Sequence, residues 1–238
     1  MRIHARQVFY VVFAVVLVIL AVVAMRPEPS YEGKTVREWV WQYAKTNRQG
    51  FHEPPTVAMK QMGQRAVPLL ITELQRQNPA THKLRFRMWN ASSNWMRTWV
   101  HRRMRDPYDV PDAYMIRESA AITLGSLGGE ARSAIPNLRV ALGDSTPHVR
   151  LKAAYAMWQI DHTLASEVVP ILVGLHTNSY NFKYYTSLYF GSIGLDAKAA
   201  VPLLRETLTD DNPNTRENAK TALQKLELAE RKEQNANH

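Results

Sequence analysis

Shifted by 33 residues, the chain superposes on itself. Arg117, Arg150, Lys183 and Arg216 share one position of that register, and Leu127, Ile160, Ile193 and Leu226 share another. Small residues follow each basic one: Ala120 and Ala121, Ala153 and Ala154, Thr186 and Ser187, then Ala219 followed by Lys220. A period of about 20 to 50 residues marks stacked supersecondary units, each burying its apolar face only against its neighbours. Such an array presents an extended surface, so binding is expected ahead of catalysis.

A proline motif punctuates the array. Ala66-Val-Pro-Leu-Leu-Ile71 returns as Ala134-Ile-Pro-Asn-Leu138, Val168-Val-Pro-Ile-Leu172 and Ala200-Val-Pro-Leu-Leu204. Proline suits the first turn of a helix, where its missing N–H would have had no intrahelical partner. Thr146-Pro147 and Asn212-Pro213 are cap-plus-proline starts of the partner helices. Further upstream, Thr35-Val-Arg-Glu38 is a capping box opening a helix with Val36, Trp39, Val40 and Tyr43 on one stripe. The pattern predicts an all-α protein.

Three stretches carry a family likeness: Asp144-Ser-Thr-Pro-His-Val-Arg150 running on through Ala153 and Ala154, Ile116-Arg-Glu-Ser-Ala-Ala121 with Leu124-Gly-Ser-Leu-Gly128, and Asp211-Asn-Pro-Asn-Thr-Arg216 with Ala219 and Ala222. They resemble the second-helix signature of HEAT repeats, of the armadillo-like class, and Gly194 to Pro202 is similar to the link between such units. The likeness covers about residues 55–76 and 113–228, and is closest to membrane-tethered or exported bacterial HEAT-repeat proteins. It implies a right-handed helical-hairpin solenoid over 35–228, with second helices lining the concave face. It also implies a structural Asp/Arg ladder across units, through Arg117, Asp144, Arg150, Lys183, Asp211 and Arg216, pairing Asp144 with Arg150 and Asp211 with Arg216. The unit around Lys183 departs from the family pattern. Lys replaces Arg there, and Tyr180, Phe182, Tyr184, Tyr185, Tyr189 and Phe190 stand where small residues are usual.

The N-terminus adds a membrane signal. A short basic head, 1–7, precedes the uncharged run 8–25, which as a helix is about 27 Å long and matches a bilayer core. A transmembrane anchor is expected. A cleaved signal peptide competes, with Val22 and Ala24 before Met25, though the run exceeds the usual signal core. Arg2 and Arg6 before the run nearly balance Arg26, Lys34 and Arg37 after it; a short basic head nevertheless places the N-terminus in the cytoplasm and the bulk of the chain outside it. Residues 26–34 read as a proline-stiffened linker and 229–238 as a polar tail.

The register lapses over 80–112, an irregular or inserted unit. Arg85, Arg87, Arg102 and Arg103 are interleaved there with Trp95 and Trp99. Insertions in solenoids often map to the binding face, and basic residues between aromatics suit phosphate contact and stacking. The competing reading makes these aromatics core and the arginines a solvated rim. Together with Tyr180, Tyr184 and Tyr185 they form the candidate interaction surface. A net charge of +9 favours anionic partners, which for an exported domain means anionic lipid, an envelope polymer or an acidic protein rather than nucleic acid.

Catalytic motifs are absent from the sequence: no phosphate loop, no His-Glu-x-x-His, no Gly-x-Ser-x-Gly. No catalytic, cofactor-binding or metal-ligating residue is assigned, and helix capping is preferred over cation binding for Asp106, Asp109 and Asp112. The expectation is a membrane-tethered, non-enzymatic scaffold that binds a protein partner, with polyanion binding through 83–105 as the alternative.

Overall fold

A computed structural model of the chain describes Tyr10 and residues 13–15, 28–46, 55–79, 82–93, 111–178 and 180–236. These residues are almost entirely helical, and the fold is all-α apart from one short hairpin. Only Tyr10 and 13–15 of the expected anchor fall among them, so the span at 8–25 lies outside the described residues. Within those residues no helix is long and apolar enough to cross a membrane.

The hairpin sits where the prolines announce a linker. Strand β1 (Ser30–Tyr31) pairs antiparallel with β2 (Lys34–Thr35). Between them Glu32 and Gly33 have φ of 50° and 72°, the two positive values that a tight type I′ turn requires. The capping box then forms as expected: Thr35 N–H donates to Glu38 Oε2 at 2.8 Å, and Glu38 N–H donates to Thr35 Oγ1 at 3.3 Å. The Thr35 backbone hydrogen bond is the main reason the Glu38 carboxyl is held below its ordinary range. Helix α1 (Val36–Thr46) follows, burying Val36, Val40 and Tyr43 and setting Trp39 beside Tyr31.

Next come α2 (Thr56–Met62), α3 (Ala66–Leu74) and α4 (His82–Ala91). On α4, Leu84 and Met88 sit at helical spacing yet are 56% and 65% exposed, so they add nothing to the core. The regular part comprises α5 (Ala113–Ser126), α6 (Ile135–Ala141), α7 (Pro147–Ile160), α8 (Ala165–Asn178), α9 (Tyr180–Ile193), α10 (Val201–Thr207) and α11 (Pro213–Ala236). Helices α5, α7, α9 and α11 carry the basic and small-residue register, and α6, α8 and α10 carry the prolines. Helix α5 packs on α7 and α9 on α11, while α6 lies on α7, α8 between α7 and α9, and α10 on α11. One apolar core runs continuously from Val36 to Leu226. It includes Ala120, Ala121, Ala153, Ala154 and Ala219, all with no exposure.

Pro136 and Pro202 occupy the first turns of α6 and α10, and Pro68 is third in α3. Pro170 departs from this scheme, since α8 begins at Ala165 and carries the proline inside it. Tight 3-10 turns lead into α3, α6, α8 and α10: Gly63–Arg65, Gly128–Ala134, His162–Leu164 and Gly194–Ala200. Three of them open on a glycine with φ of 64°, 57° or 75°, a conformation that costs an ordinary L residue about 1 kcal/mol or more. The turn into α8 opens instead after Asp161, whose Oδ1 accepts from Thr163 N–H at 3.1 Å and whose Oδ2 accepts from Arg132 Nη2 at 2.9 Å. The tail expected at 229–238 is helical as far as Ala236, and Lys198 pairs with Glu230 across 3.1 Å.

Candidate functional site

The basic register builds a ladder, with one correction. Arg117 donates from Nε to Asp144 Oδ2 at 2.7 Å and from Nη2 to Oδ1 at 3.0 Å, and its Nη1 reaches the Arg76 carbonyl at 2.9 Å. Arg150 does not reach the Asp144 carboxylate; its Nη1 donates to the backbone carbonyls of Asp144 at 2.8 Å and Ser145 at 3.5 Å. The arrangement returns 66 residues later, where Lys183 Nζ lies 3.7 Å from Asp210 Oδ2 and Arg216 donates to the Asp210 and Asp211 carbonyls at 2.7 and 3.0 Å. The carboxylates therefore pair with the preceding unit, and the second acid is Asp210, not Asp211, which is exposed. A local turn decides the matter: Asp144 Oδ1 accepts from Thr146 N–H at 2.8 Å, and Asp210 Oδ1 accepts from Asn212 N–H at 3.0 Å, aiming both side chains inward. Burial opposes ionisation of Asp144, but the hydrogen bonds from Arg117 and Thr146, together with the Arg117 charge, outweigh it and hold the carboxyl below its usual range. The corresponding position for Arg150 is Thr177, within α8, so that rung has no acid.

The helix interfaces differ as sharply. A β-carbon on Gly125 would lie 2.9 Å from Ala156 Cα, and one on Gly191 would lie 3.0 Å from Ala222 Cα. Small residues thus bring α5 against α7 and α9 against α11. Between α7 and α9 the same register positions are Trp158 and Tyr189, and the backbones do not approach as closely. Rings fill the gap. Tyr155 and Tyr189 stack at 3.7 Å with 6° between their planes, Tyr155 and Trp158 at 5.5 Å, and Trp158 and His162 at 4.6 Å. Phe182 meets the His148 ring edge-on at 4.8 Å.

Lys152 enters this column from α7. Its Nζ donates to the Tyr189 hydroxyl at 3.0 Å and stands 4.0 Å above the Tyr185 ring. Burial pulls the Lys152 amine below its ordinary range and pushes the Tyr189 phenol above its own. Glu118, half-buried on α5, is near enough for its charge to favour the ammonium. Burial, followed by the same Glu118 charge, pushes Tyr43 on α1 up to about 12. Among the described residues no carboxylate lies at ion-pair distance from Lys152, and Glu118 makes neither hydrogen bond nor ion pair. Beside them Tyr184 and Leu188 are 36% and 43% exposed.

No protein-family model matches the chain, and neither does any curated protein. The site therefore rests on its own geometry.

Of the residues expected from the sequence, Tyr184 and Tyr185 are brought together here, in contact at 5.1 Å. Tyr180 is the first residue of α9, Arg85 lies within α4 and Arg87 is exposed on α4. Trp95, Trp99, Arg102 and Arg103 lie outside the described residues, as do Asp106 and Asp109. Asp112 is the cap residue of α5 without a side-chain cap bond; the Ala113 N–H is taken by Asn78 Oδ1 at 2.8 Å. Sequence reasoning missed Glu118, Lys152, Tyr155 and Trp158. The signal was available: the series Thr123, Ala156, Tyr189, Ala222 and the series Gly125, Trp158, Gly191, Gln224 each turn aromatic where α7 meets α9.

The same unit holds a buried histidine. His176 Nδ1 is 2.7 Å from Thr186 Oγ1, and its Nε2 is 2.9 Å from Thr207 Oγ1, which ties α8 to α9 and α10. Burial, helped by the Lys183 charge, pushes His176 down to about 4, so the ring is neutral at pH 7.

Proposed function

We propose that this protein is a non-enzymatic scaffold, a HEAT-like helical-hairpin solenoid tethered to a membrane through residues 8–25, with its N-terminus cytoplasmic and the solenoid exported. It holds a protein partner on the exposed face of the second helices α7 and α9. The observation that carries this reading is the replacement of the small-residue packing used on either side by a half-exposed aromatic stripe, Tyr155, Trp158, Tyr184 and Tyr185, with the exposed Leu188 beside it, flanking a half-buried lysine. Aromatic side chains with one buried and one accessible edge are the usual anchors of protein interfaces. Repeat scaffolds gain function by such local changes on a shared framework.

The net charge of +9 favours a second reading, in which Arg85, Arg87, Arg102 and Arg103 contact a polyanion such as anionic lipid or an envelope polymer. Salt separates the two. Isolated in detergent from the cell that makes it, the full chain is expected to keep a stoichiometric protein partner at 0.5 M salt, on the order at which exposed charge contacts are screened, and to release it on Leu188→Glu. Loss of all bound material at that salt, regardless of Leu188, would favour the polyanion.

A further inference from the structure

The chemistry around Lys152 narrows the partner, on the assumption that the scaffold reading holds. An ammonium withdrawn from water is stable when an anion or several hydrogen bonds compensate it. Here one neutral hydroxyl, Tyr189 at 3.0 Å, and the faces of Tyr185 and Tyr189 at 4.0 and 5.7 Å are its contacts within the described chain. The arginines of the ladder are better served: Arg117 holds a bidentate carboxylate, and Arg150 and Arg216 each hold backbone carbonyls. Lys152 is not part of that ladder; it occupies the position of Ser119, Tyr185 and Asn218 in the register. The exposed edge next to it is apolar, formed by Tyr184 and Leu188 one helical turn apart.

We infer that Lys152 receives a single carboxylate from an acidic, aliphatic segment of the partner protein, whose neighbouring apolar side chains cover Tyr184 and Leu188. Three observations select this occupant. The amine lacks a counter-ion in the described chain, and the adjoining surface is apolar. The third is Glu118 on α5, whose charge acts on Lys152 and which makes no hydrogen bond or ion pair among the described residues. A second negative charge at this spot repels a phosphate chain, a nucleic acid backbone or a dense anionic headgroup layer, whereas one carboxylate is tolerated and the donors beside it, backbone N–H groups or a basic residue of the same segment, satisfy Glu118. A lone charge of each sign thus fixes the orientation of the segment as well as its class.

The test places a benzophenone amino acid at Leu188 of the full chain in the cell that makes it, with the adduct sequenced by mass spectrometry. The expected result is a protein adduct whose crosslinked peptide carries Asp, Glu or a chain terminus close to the modified residue. Its yield should fall at least tenfold with Lys152→Met and persist with Lys152→Arg. Should Lys152→Met fail to fold, Lys152→Gln provides the second reading, because it keeps a hydrogen-bond donor for the Tyr189 hydroxyl and removes the charge: the yield should again fall at least tenfold, and an unchanged yield overturns the inference. A protein adduct indifferent to Lys152→Met leaves the scaffold standing and overturns the carboxylate. Adducts to lipid or polymer alone overturn the scaffold and the inference together.

Discussion

Helix α5 meets α7 through Gly125 and Ala156; two register positions equivalent to these, Trp158 and Tyr189, stand between α7 and α9 and keep them apart. The first interface is closed, with little side chain left over for anything else. The second exchanges backbone contact for stacked rings whose edges remain accessible. Other departures fall in the same unit. The ladder loses its acid at Thr177, α8 extends through the place where a turn stands in its neighbours, the entry glycine becomes Asp161, and a neutral histidine is buried at 176. A repeat framework tolerates such a unit because each interface is largely an independent contribution to stability. One interface can be altered for recognition while those beside it hold the stack.

Breaking the aromatic interface should have the largest effect. Tyr189 is 6% exposed, and Tyr189→Ala should cost about 3 to 5 kcal/mol, as for other large buried aromatics, measured by urea unfolding. A cost below about 1 kcal/mol would mean that the rings follow the helix spacing instead of setting it.

The buried histidine makes the aromatic unit the acid-sensitive one. His176 has its folded value pushed from 6.5 to about 4, so between those values the unfolded chain binds more protons and stability rises with pH. The contribution is complete above pH 6.5 and is lost as pH falls towards 4, at most about 3 kcal/mol by linkage. Glu73 and Asp144 are held below their usual ranges, against the pull of burial, by Arg76 with Arg37 and by Arg117 respectively, so their own loss occurs at lower pH. His176→Asn should flatten the stability profile between pH 4 and 6.5. An unchanged slope would remove His176 from this role.

The close interface should fail in the opposite sense. Gly191→Val adds bulk where a β-carbon already meets Ala222 at 3.0 Å, and should cost about 1 to 3 kcal/mol through overpacking. A neutral result would show that α9 and α11 can separate as α7 and α9 do. The smallest effect is a gain. Ser187 Oγ is buried without a hydrogen-bond partner among the described residues, where the register elsewhere has Ala121 and Ala154. Ser187→Ala should stabilise the protein by about 1 kcal/mol; destabilisation would indicate a partner for that hydroxyl.

The 33-residue register, the helix starts marked by Pro136 and Pro202 and the capping box at Thr35 were legible in the sequence because each depends on local chemistry at a fixed spacing, whereas Pro170, read as the same kind of start, lies inside α8. The ladder was legible only in part. Sequence adjacency favoured Asp211 beside Arg216, while the turn that selects Asp210 depends on a side chain accepting the N–H two residues on. The hairpin at Ser30–Thr35 was hidden by prolines that read as a linker, although Glu32-Gly33 is a turn signal in its own right. Tyr184 and Tyr185 stood out by composition. Lys152 and Glu118 did not, because isolated charges on a helix usually mean a solvated face; their significance comes from rings supplied by a helix 33 residues away.

The most direct test of the account compares two photo-reactive probes in the cell that makes the protein. One replaces Leu188 on the aromatic face, and the other replaces Val140, which is 76% exposed on α6. A discrete protein adduct from Leu188 and none of the same mass from Val140 is the expected result. Identical adducts from both positions, or lipid and polymer adducts alone, would contradict the assignment of the α7 and α9 face as a protein-docking surface.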